Sequence, residues 1–188
     1  TGFTCTSGVY VGETRSTGGD ASGPKSARML LRHPRVEAAV LETARGGMLR
    51  EGLAFDACDV GAVLNVTPDH LGLKGIETLA DLARVKAIVA RNVKKSGACV
   101  LNAADPLTVR MARRARGRIV WFTGGAVAAA LAPIQAHLES GGLAVSCERG
   151  TLMLHRGSES MPIIPFANIP VTLKGTARFN VENGGAGA

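Results

Sequence analysis

The chain has 188 residues, is 46% hydrophobic and carries a formal net charge of +7 at pH 7. This length allows one sizeable core, and no apolar run is long enough for a membrane span, so contact with a membrane is not expected. The four cysteines are scattered with no CxxC pair, which predicts reduced thiols in the cytoplasm rather than disulfides or structural zinc. The positive charge favours an anionic partner such as a nucleotide or an acidic substrate. Nucleic acid is not expected, because the basic residues are dispersed and only one Trp and one Tyr could stack on bases.

Short apolar runs predict buried strands, and amphipathic patterns between them predict helices. The predicted strands cover residues 2–7, 37–43, 60–66, 98–103 and 118–123, and the predicted helices cover 26–32, 79–93 and 107–116. Pro106 suits the first turn of the last helix. Because near-continuous hydrophobic strands alternate with helices, we expect an α/β fold with a mostly parallel sheet and helices on both faces.

The character of the sequence changes after Gly124. We expect residues 126–132 to form a helix or a linker, and the pattern of residues 143–157 predicts two strands around a turn at 148–150. Residues 161–175 are interrupted by prolines and are expected to be extended. We therefore expect a small antiparallel β subdomain over 134–175, added to an α/β core formed by 1–133 and 176–188.

Three of the predicted strands finish with polar side chains. The second strand ends with Glu42, the third ends with Asn65 and is followed by 69–70 (Asp-His), and the fourth ends with Asn102 and is followed by Asp105. Ligands of open parallel sheets bind beyond the carboxyl ends of the strands. Carboxylate oxygens suit Mg²⁺, which shares ligands with phosphates. These residues therefore predict a site for a hard cation and a phosphate.

Lys86 lies within an apolar stripe of the predicted helix 79–93. On an α-helix, Leu79, Leu82, Val89 and Val93 would share one face with Lys86 in its middle. A lysine that faces the core either extends its amine to an edge or has a chemical role, because burying an ammonium is costly. The acid and the imidazole just before this helix favour the chemical role.

Each of these residues also has an ordinary structural interpretation. Glu42 could cap a helix that begins near Gly47, Asp69 could be an N-cap, and a lone His70 is more often structural than a ligand. The segment 14–28, rich in Gly and Ser, could either offer backbone N–H groups to an anion or be a surface loop. The joint placement of the polar groups around the Lys86 helix favours function.

Four segments resemble the Mur-ligase-like central domain of the cyanophycin synthetase family. They are ETARGGMLREGL (42–53), CDVGAVLNVTPDHLGLKGIETLADLARVKAIV (58–89), VLNAADP (100–106) and ARFNVEN (177–183). NVTPDHLG with a lysine sixteen residues after its histidine is shared by Mur ligases generally, and the first segment narrows the resemblance to the cyanophycin type. The resemblance implies the central domain fold of Mur ligases, which is similar to that of P-loop NTPases.

The resemblance also implies a set of site residues. Glu42 is expected to hold the Mg²⁺ that bridges the ATP phosphates, and His70 to help hold a second Mg²⁺. Lys86 is expected to be carbamylated and to support that second metal. These three form the expected catalytic and metal-binding set, and the expected nucleotide-binding residues are Asn180, Asn183 and Asp105.

The implied reaction is an ATP-dependent ligation. ATP phosphorylates the β-carboxyl of an aspartate in a poly-aspartate chain, and the α-amine of arginine attacks the acyl phosphate to form an isopeptide bond. The implied cofactors are ATP and Mg²⁺, and the partners are arginine and a poly-aspartate or cyanophycin primer. A homo-oligomer is expected for the full-length protein. The chain has no GxxxxGK[ST] loop, so we expect it to be a portion of the central domain that is inactive on its own.

Three other interpretations remain open from the sequence. Another Mur-type ligase, acting on a peptidoglycan precursor or on folylpolyglutamate, would share the NVTPDHLG motif. A non-catalytic domain that binds anions or nucleic acid would depend on Arg113, Arg114 and Arg116 rather than on Glu42 or His70. A degenerate Mur-like module is disfavoured because Glu42, His70 and Lys86 are all retained.

Overall fold

The computed structural model describes residues 1–68, 71–72, 75–125, 132–169 and 185–187. The chain divides into two compact units, Thr1–Asp56 and Ala57–Ala188. In the described part of the chain, every helix is too short or too polar to cross a membrane.

The first unit contains a four-stranded sheet and two helices. Its strands are β1 (Gly2–Cys5), β2 (Gly8–Val11), β3 (Thr14–Gly18) and β4 (Ala39–Leu41), and its helices are α1 (Pro24–Leu31) and α2 (Arg45–Glu51). The strand order is β3-β2-β1-β4, with β1 parallel to β4 and antiparallel to β2. Val9, Ala21 and Leu30 form the centre of its core.

The second unit contains a six-stranded sheet in the order β10-β9-β8-β7-β6-β5. Its strands are β5 (Cys58–Val63), β6 (Val93–Asn102), β7 (Arg118–Phe122), β8 (Leu143–Glu148), β9 (Thr151–Arg156) and β10 (Glu159–Pro165). Its helices are α3 (Leu79–Arg91), α4 (Pro106–Met111) and α5 (Ala132–Glu139). Strands β5 to β8 are parallel, whereas β9 and β10 are antiparallel to their neighbours. Phe122, Val145 and Leu152 are central to the core on one face of this sheet.

The predicted α/β class is confirmed, and the five predicted strands and the helices predicted over 26–32, 79–93 and 107–116 each have a counterpart. Most of the segment 126–132, expected to be a helix or a linker, lies outside the described residues. The first two predicted strands lie in one sheet and the other three are neighbours in the second sheet. The predicted helix 107–116 is shorter than expected, because α4 ends at Met111 and passes into a 3₁₀ turn, Ala112–Arg114. Pro106 occupies the first turn of α4, as predicted.

Strands β2 and β3 and helix α5 were not predicted, and α2 was considered only as a helix near Gly47 that Glu42 could cap. Strand β3 lies in the segment 14–28 that was read as a loop or an anion-binding segment, and all five of its residues are exposed. Because neither of its faces is buried, its sequence has no alternation of apolar and polar residues that could reveal it. Helix α2 has only seven residues, which is too few for a clear helical period.

The antiparallel strands predicted after residue 142 are confirmed as β8, β9 and the turn between them, where Arg149 and Gly150 have φ values of 47° and 80°. Strand β8 also pairs in parallel with β7, so these strands continue the main sheet. The separation of 134–175 as a subdomain stays a prediction.

Candidate functional site

Glu42 directly follows the short strand β4 and stays beside β1. Its backbone N–H donates to the carbonyl oxygen of Thr4 at 3.1 Å, which extends the parallel pairing by one residue. Its carboxylate accepts from the backbone N–H of Thr6 at 2.8 Å and from the Thr6 hydroxyl at 3.0 Å. Thr6 therefore fixes the carboxylate from one side.

The Glu42 carboxylate fits a role as a magnesium ligand. The residue is exposed, and a carboxylate offers about four lone-pair positions, of which Thr6 uses some. Mg²⁺ keeps several waters and usually takes one or two protein carboxylates together with phosphate oxygens. An anchored and exposed carboxylate suits that pattern. Helix α2 has Ala44 as its N-cap, so Glu42 does not cap it.

The chain near Glu42 carries small polar side chains. The Cys5 thiol lies 3.1 Å from the Ser7 hydroxyl, and this hydrogen bond lowers the pKa of Cys5 below its ordinary value. The backbone N–H and the hydroxyl of Ser22 donate to the Asp20 carboxylate at 3.0 and 2.6 Å, and these hydrogen bonds lower the pKa of Asp20. A cavity of about 10 Å³, enough for one water, is lined in part by Ser22 and Glu42.

Lys86 lies on the buried face of α3. Leu82 and Ala90, four residues before and after it, are 3% and 1% exposed. The Lys86 ammonium donates to the carbonyl oxygen of Asn65 at 2.7 Å, so the side chain reaches the segment that follows β5. The predicted stripe is not buried along its whole length, because Leu79 and Val89 are only partly buried. Its last predicted member, Val93, belongs to strand β6.

Asn102 and Asp105 contact the same segment as Lys86. The Asn102 amide nitrogen donates to the carbonyl oxygen of Leu64 at 2.9 Å, and the Asp105 carboxylate accepts from the N–H of Val66 at 2.5 Å. Asp105 is also the N-cap of α4, where it accepts from the N–H of Leu107 at 2.8 Å. These contacts are to backbone groups, and the predicted contact of Asp105 with the nucleotide stays a prediction.

The structure therefore brings together Lys86, Asn102 and Asp105 at the end of β5. Glu42 belongs to the first unit and the other three to the second. His70, Asn180, Asn183 and Asp69 lie outside the described residues, and the meeting of Glu42, His70 and Lys86 at one rim stays a prediction.

Sequence reasoning missed Thr6. Its position at the end of predicted strand 2–7 is the signal that could have identified it, because β1 and β4 are parallel neighbours and their carboxyl ends meet.

A larger cavity of about 330 Å³ lies at the opposite strand ends of the second unit. Arg118, His137 and Arg156 line part of it, beside the starts of β7 and β8. The His137 ring accepts from the N–H of Leu143 at 3.1 Å, which gives this histidine a structural role in the turn before β8.

The whole chain, residues 1–188, matches the family described as the Mur ligase middle domain, and it belongs to that family. It is 46% identical to the cyanophycin synthetase of Geminocystis herdmanii and 46% identical to that of Crocosphaera subtropica, in each case over 97% of this chain. The chain spans 20% of the length of each of these relatives. It is also 39% identical to a UDP-N-acetylmuramoylalanine–D-glutamate ligase of Pelotomaculum thermopropionicum, over 34% of this chain and 14% of that protein.

Proposed function

We propose that the protein is an ATP-dependent carbon–nitrogen ligase of the cyanophycin synthetase type. The observation that carries this proposal is the 46% identity to cyanophycin synthetases over 97% of the chain. The similarity to a peptidoglycan-precursor ligase covers 34% of the chain, which favours the cyanophycin type over that alternative.

In the proposed reaction, a β-carboxyl oxygen of an aspartate in a poly-aspartate primer attacks the γ-phosphorus of ATP. The bond to the β-phosphate oxygen breaks, ADP leaves, and an acyl phosphate forms. The α-amine of arginine then attacks the carbonyl carbon of the acyl phosphate. Phosphate leaves, and an isopeptide bond forms. Mg²⁺, when bound, would neutralise negative charge on the transferring phosphoryl group and on the leaving phosphate.

Within this proposal, Glu42 is the ligand of one Mg²⁺ and Thr6 holds its carboxylate in place. His70 and a carbamylated Lys86 hold the second Mg²⁺, and Asn180 and Asn183 contact the adenine. The contact between Lys86 and Asn65 supports a place for this lysine at the carboxyl end of β5, where ligands of parallel sheets bind. We also propose that the full-length protein is a homo-oligomer. A cytoplasmic location is supported by its four free cysteines.

The test is amino-acid-dependent phosphate release by the full-length protein with ATP, Mg²⁺ and a cyanophycin primer. We expect arginine to stimulate release and to be incorporated into the primer. Stimulation by D-glutamate with a muramoyl-alanine precursor, or by glutamate with a folate, would instead establish another Mur-type ligase.

Glu42→Gln tests the proposed metal ligand. We expect it to lower kcat by about 100-fold or more, because an amide oxygen lacks the charge that Mg²⁺ requires. Glu37→Gln is the matched control, since Glu37 is another exposed acid of the first unit. Equal rates for Glu42→Gln and Glu37→Gln would contradict the assigned role of Glu42.

A further inference from the structure

Three side chains hold three consecutive residues directly after β5. Asn102 donates to the carbonyl of Leu64, Lys86 donates to the carbonyl of Asn65, and Asp105 accepts from the N–H of Val66. The donor–acceptor distances are 2.9, 2.7 and 2.5 Å, respectively. The segment 64–66 is therefore fixed by side chains rather than by strand pairing alone.

Asn102 and Asp105 each make two hydrogen bonds through the two polar atoms of their side chains. Asn102 is 4% exposed, and its amide oxygen accepts from the N–H of Ala104 at 2.8 Å. Asp105 accepts from Val66 with one oxygen and from Leu107 with the other. Each side chain thus links the segment after β5 to the loop between β6 and α4. A displacement would break these hydrogen bonds, and in the case of the buried Asn102 it would leave a buried donor or acceptor unpaired.

The loop that carries Asn102 and Asp105 is itself anchored. The N–H of Ala103 donates to the carbonyl of Phe122 at 2.9 Å, which connects the loop to β7. The hydroxyl of Thr108, which is 0% exposed, donates to the carbonyls of Asn102 and of Asp105. The loop can therefore serve as a rigid reference for the segment 64–66.

We infer that Asn102 and Asp105 are positioning residues for the loop that leads from β5 to His70. This inference rests on the proposed function, because His70 follows Val66 by four residues in the sequence and is proposed to bind Mg²⁺. Side chains that orient a metal ligand typically change metal affinity or activity by about 10- to 100-fold when they are replaced.

The test compares Asp105→Ser with Ile134→Ala in the full-length protein. Serine can still cap α4, but it is too short to reach Val66, so this variant removes one contact and keeps the cap. Ile134→Ala truncates a buried side chain of α5, a helix that packs on β8, and leaves the contacts to 64–66 intact. Asp105→Asn is a second, size-matched variant with only one side-chain oxygen. Its amide nitrogen therefore faces either the N–H of Val66, where no hydrogen bond can form, or the N–H of Leu107, where the cap of α4 is lost.

The first readout is amide hydrogen exchange at Val66, and the others are kcat and the Mg²⁺ concentration that gives half-maximal activity. We expect Asp105→Ser to accelerate exchange at Val66, to lower kcat by about tenfold and to raise the Mg²⁺ requirement. Ile134→Ala should lower thermal stability while leaving Val66 exchange and the Mg²⁺ requirement near their wild-type values.

Two results would overturn the inference. One is faster exchange at Val66 in both Asp105 variants with an unchanged kcat and Mg²⁺ requirement. The other is an equal effect of Ile134→Ala on the Mg²⁺ requirement, which would show that a general loss of stability explains the change. Glu42→Gln distinguishes a failure of this inference from a failure of the proposed function. A normal Mg²⁺ requirement in the Glu42→Gln variant would count against the proposed function itself.

Discussion

Among the residues that the structure describes, Thr6 is the one that holds the carboxylate of Glu42. The backbone N–H of Thr6 and its hydroxyl both donate to this carboxylate. A substitution at Thr6 leaves the backbone contact in place, so the contribution of the hydroxyl can be measured separately.

Replacing Thr6 by valine should weaken magnesium binding without removing the proposed ligand of the metal, Glu42. Thr6→Val keeps the shape of the side chain and loses one donor to Glu42, so the carboxylate becomes less well oriented. We expect the Mg²⁺ concentration for half-maximal activity of the full-length protein to rise about tenfold. Thr6→Ser retains a hydroxyl and should behave like the wild type, and a similar rise in both variants would contradict this role.

Lys86 shows what a pattern of residues can and cannot predict for one side chain. The helical spacing correctly placed it on the same face as Leu82, which is buried. One partner of its side-chain nitrogen, the carbonyl of Asn65, belongs to another element and is 21 residues away in sequence. Periodicity describes one helix at a time, and therefore it could not identify this partner.

At the scale of elements, α3 has a well-defined beginning. Thr78 accepts from the N–H of Asp81 at 3.1 Å, and Asp81 accepts from the N–H of Thr78 at 2.9 Å, which forms a capping box. The hydrogen bond from the Thr78 hydroxyl, together with the one from its backbone, lowers the pKa of Asp81 below the ordinary value of 3.8. This cap fixes the start of the helix that carries Lys86.

Thr78→Ala should destabilise the fold by about 1 kcal/mol near pH 7, as is typical for loss of an N-cap. Because the pKa of Asp81 is lowered in the folded state, its stabilising contribution is present above its ordinary value and is lost as the pH falls through the lowered pKa. The difference between the wild type and Thr78→Ala should therefore shrink in acid. Denaturant unfolding at several pH values measures this, and Glu77→Ala is an exposed control. A difference that is constant with pH would argue against the box.

Burial decides which strands can be predicted from the sequence. Strands with buried residues, such as β6 and β7, were predicted because their sequences are apolar. Strand β3 was not predicted, because its polar and fully exposed sequence, TRSTG, gives no pattern. It is a strand because its backbone pairs with β2.

At the scale of the whole molecule, the second unit depends on the centre of its six-stranded sheet. Leu101 in β6 is 0% exposed and is the register partner of Trp121 in β7. Trp121 is the single tryptophan of the chain and is 5% exposed, so its fluorescence reports directly on this part of the core.

Leu101→Ala should lower the free energy of unfolding by about 2–5 kcal/mol, because it leaves a cavity in a closely packed interior. Urea unfolding followed by Trp121 fluorescence measures the change. Val60→Ala is the control, since Val60 lies in the neighbouring strand β5 and is 61% exposed. We expect the control to change the free energy by less than about 0.5 kcal/mol. A comparable loss for both variants would be inconsistent with the described core.

The net charge of +7 is also a property of the whole molecule. The arginines at 110, 113, 114, 116 and 118 are all exposed, which agrees with a solvated basic surface. Such a surface attracts anions in general, whereas the ligand that we propose for this protein rests on particular residues such as Glu42.

The sequence by itself determined the α/β class, the apolar strands, the Lys86 helix and the motifs shared with Mur ligases. These features are local, because each depends on residues that are neighbours in the chain or on one helical turn. Only the tertiary structure decided that the strands form two sheets, that Thr6 binds Glu42 and that Asp105 binds Val66. These contacts join residues 36 and 39 positions apart. Their geometry depends on strand pairing and loop packing, which no spacing within a single element specifies.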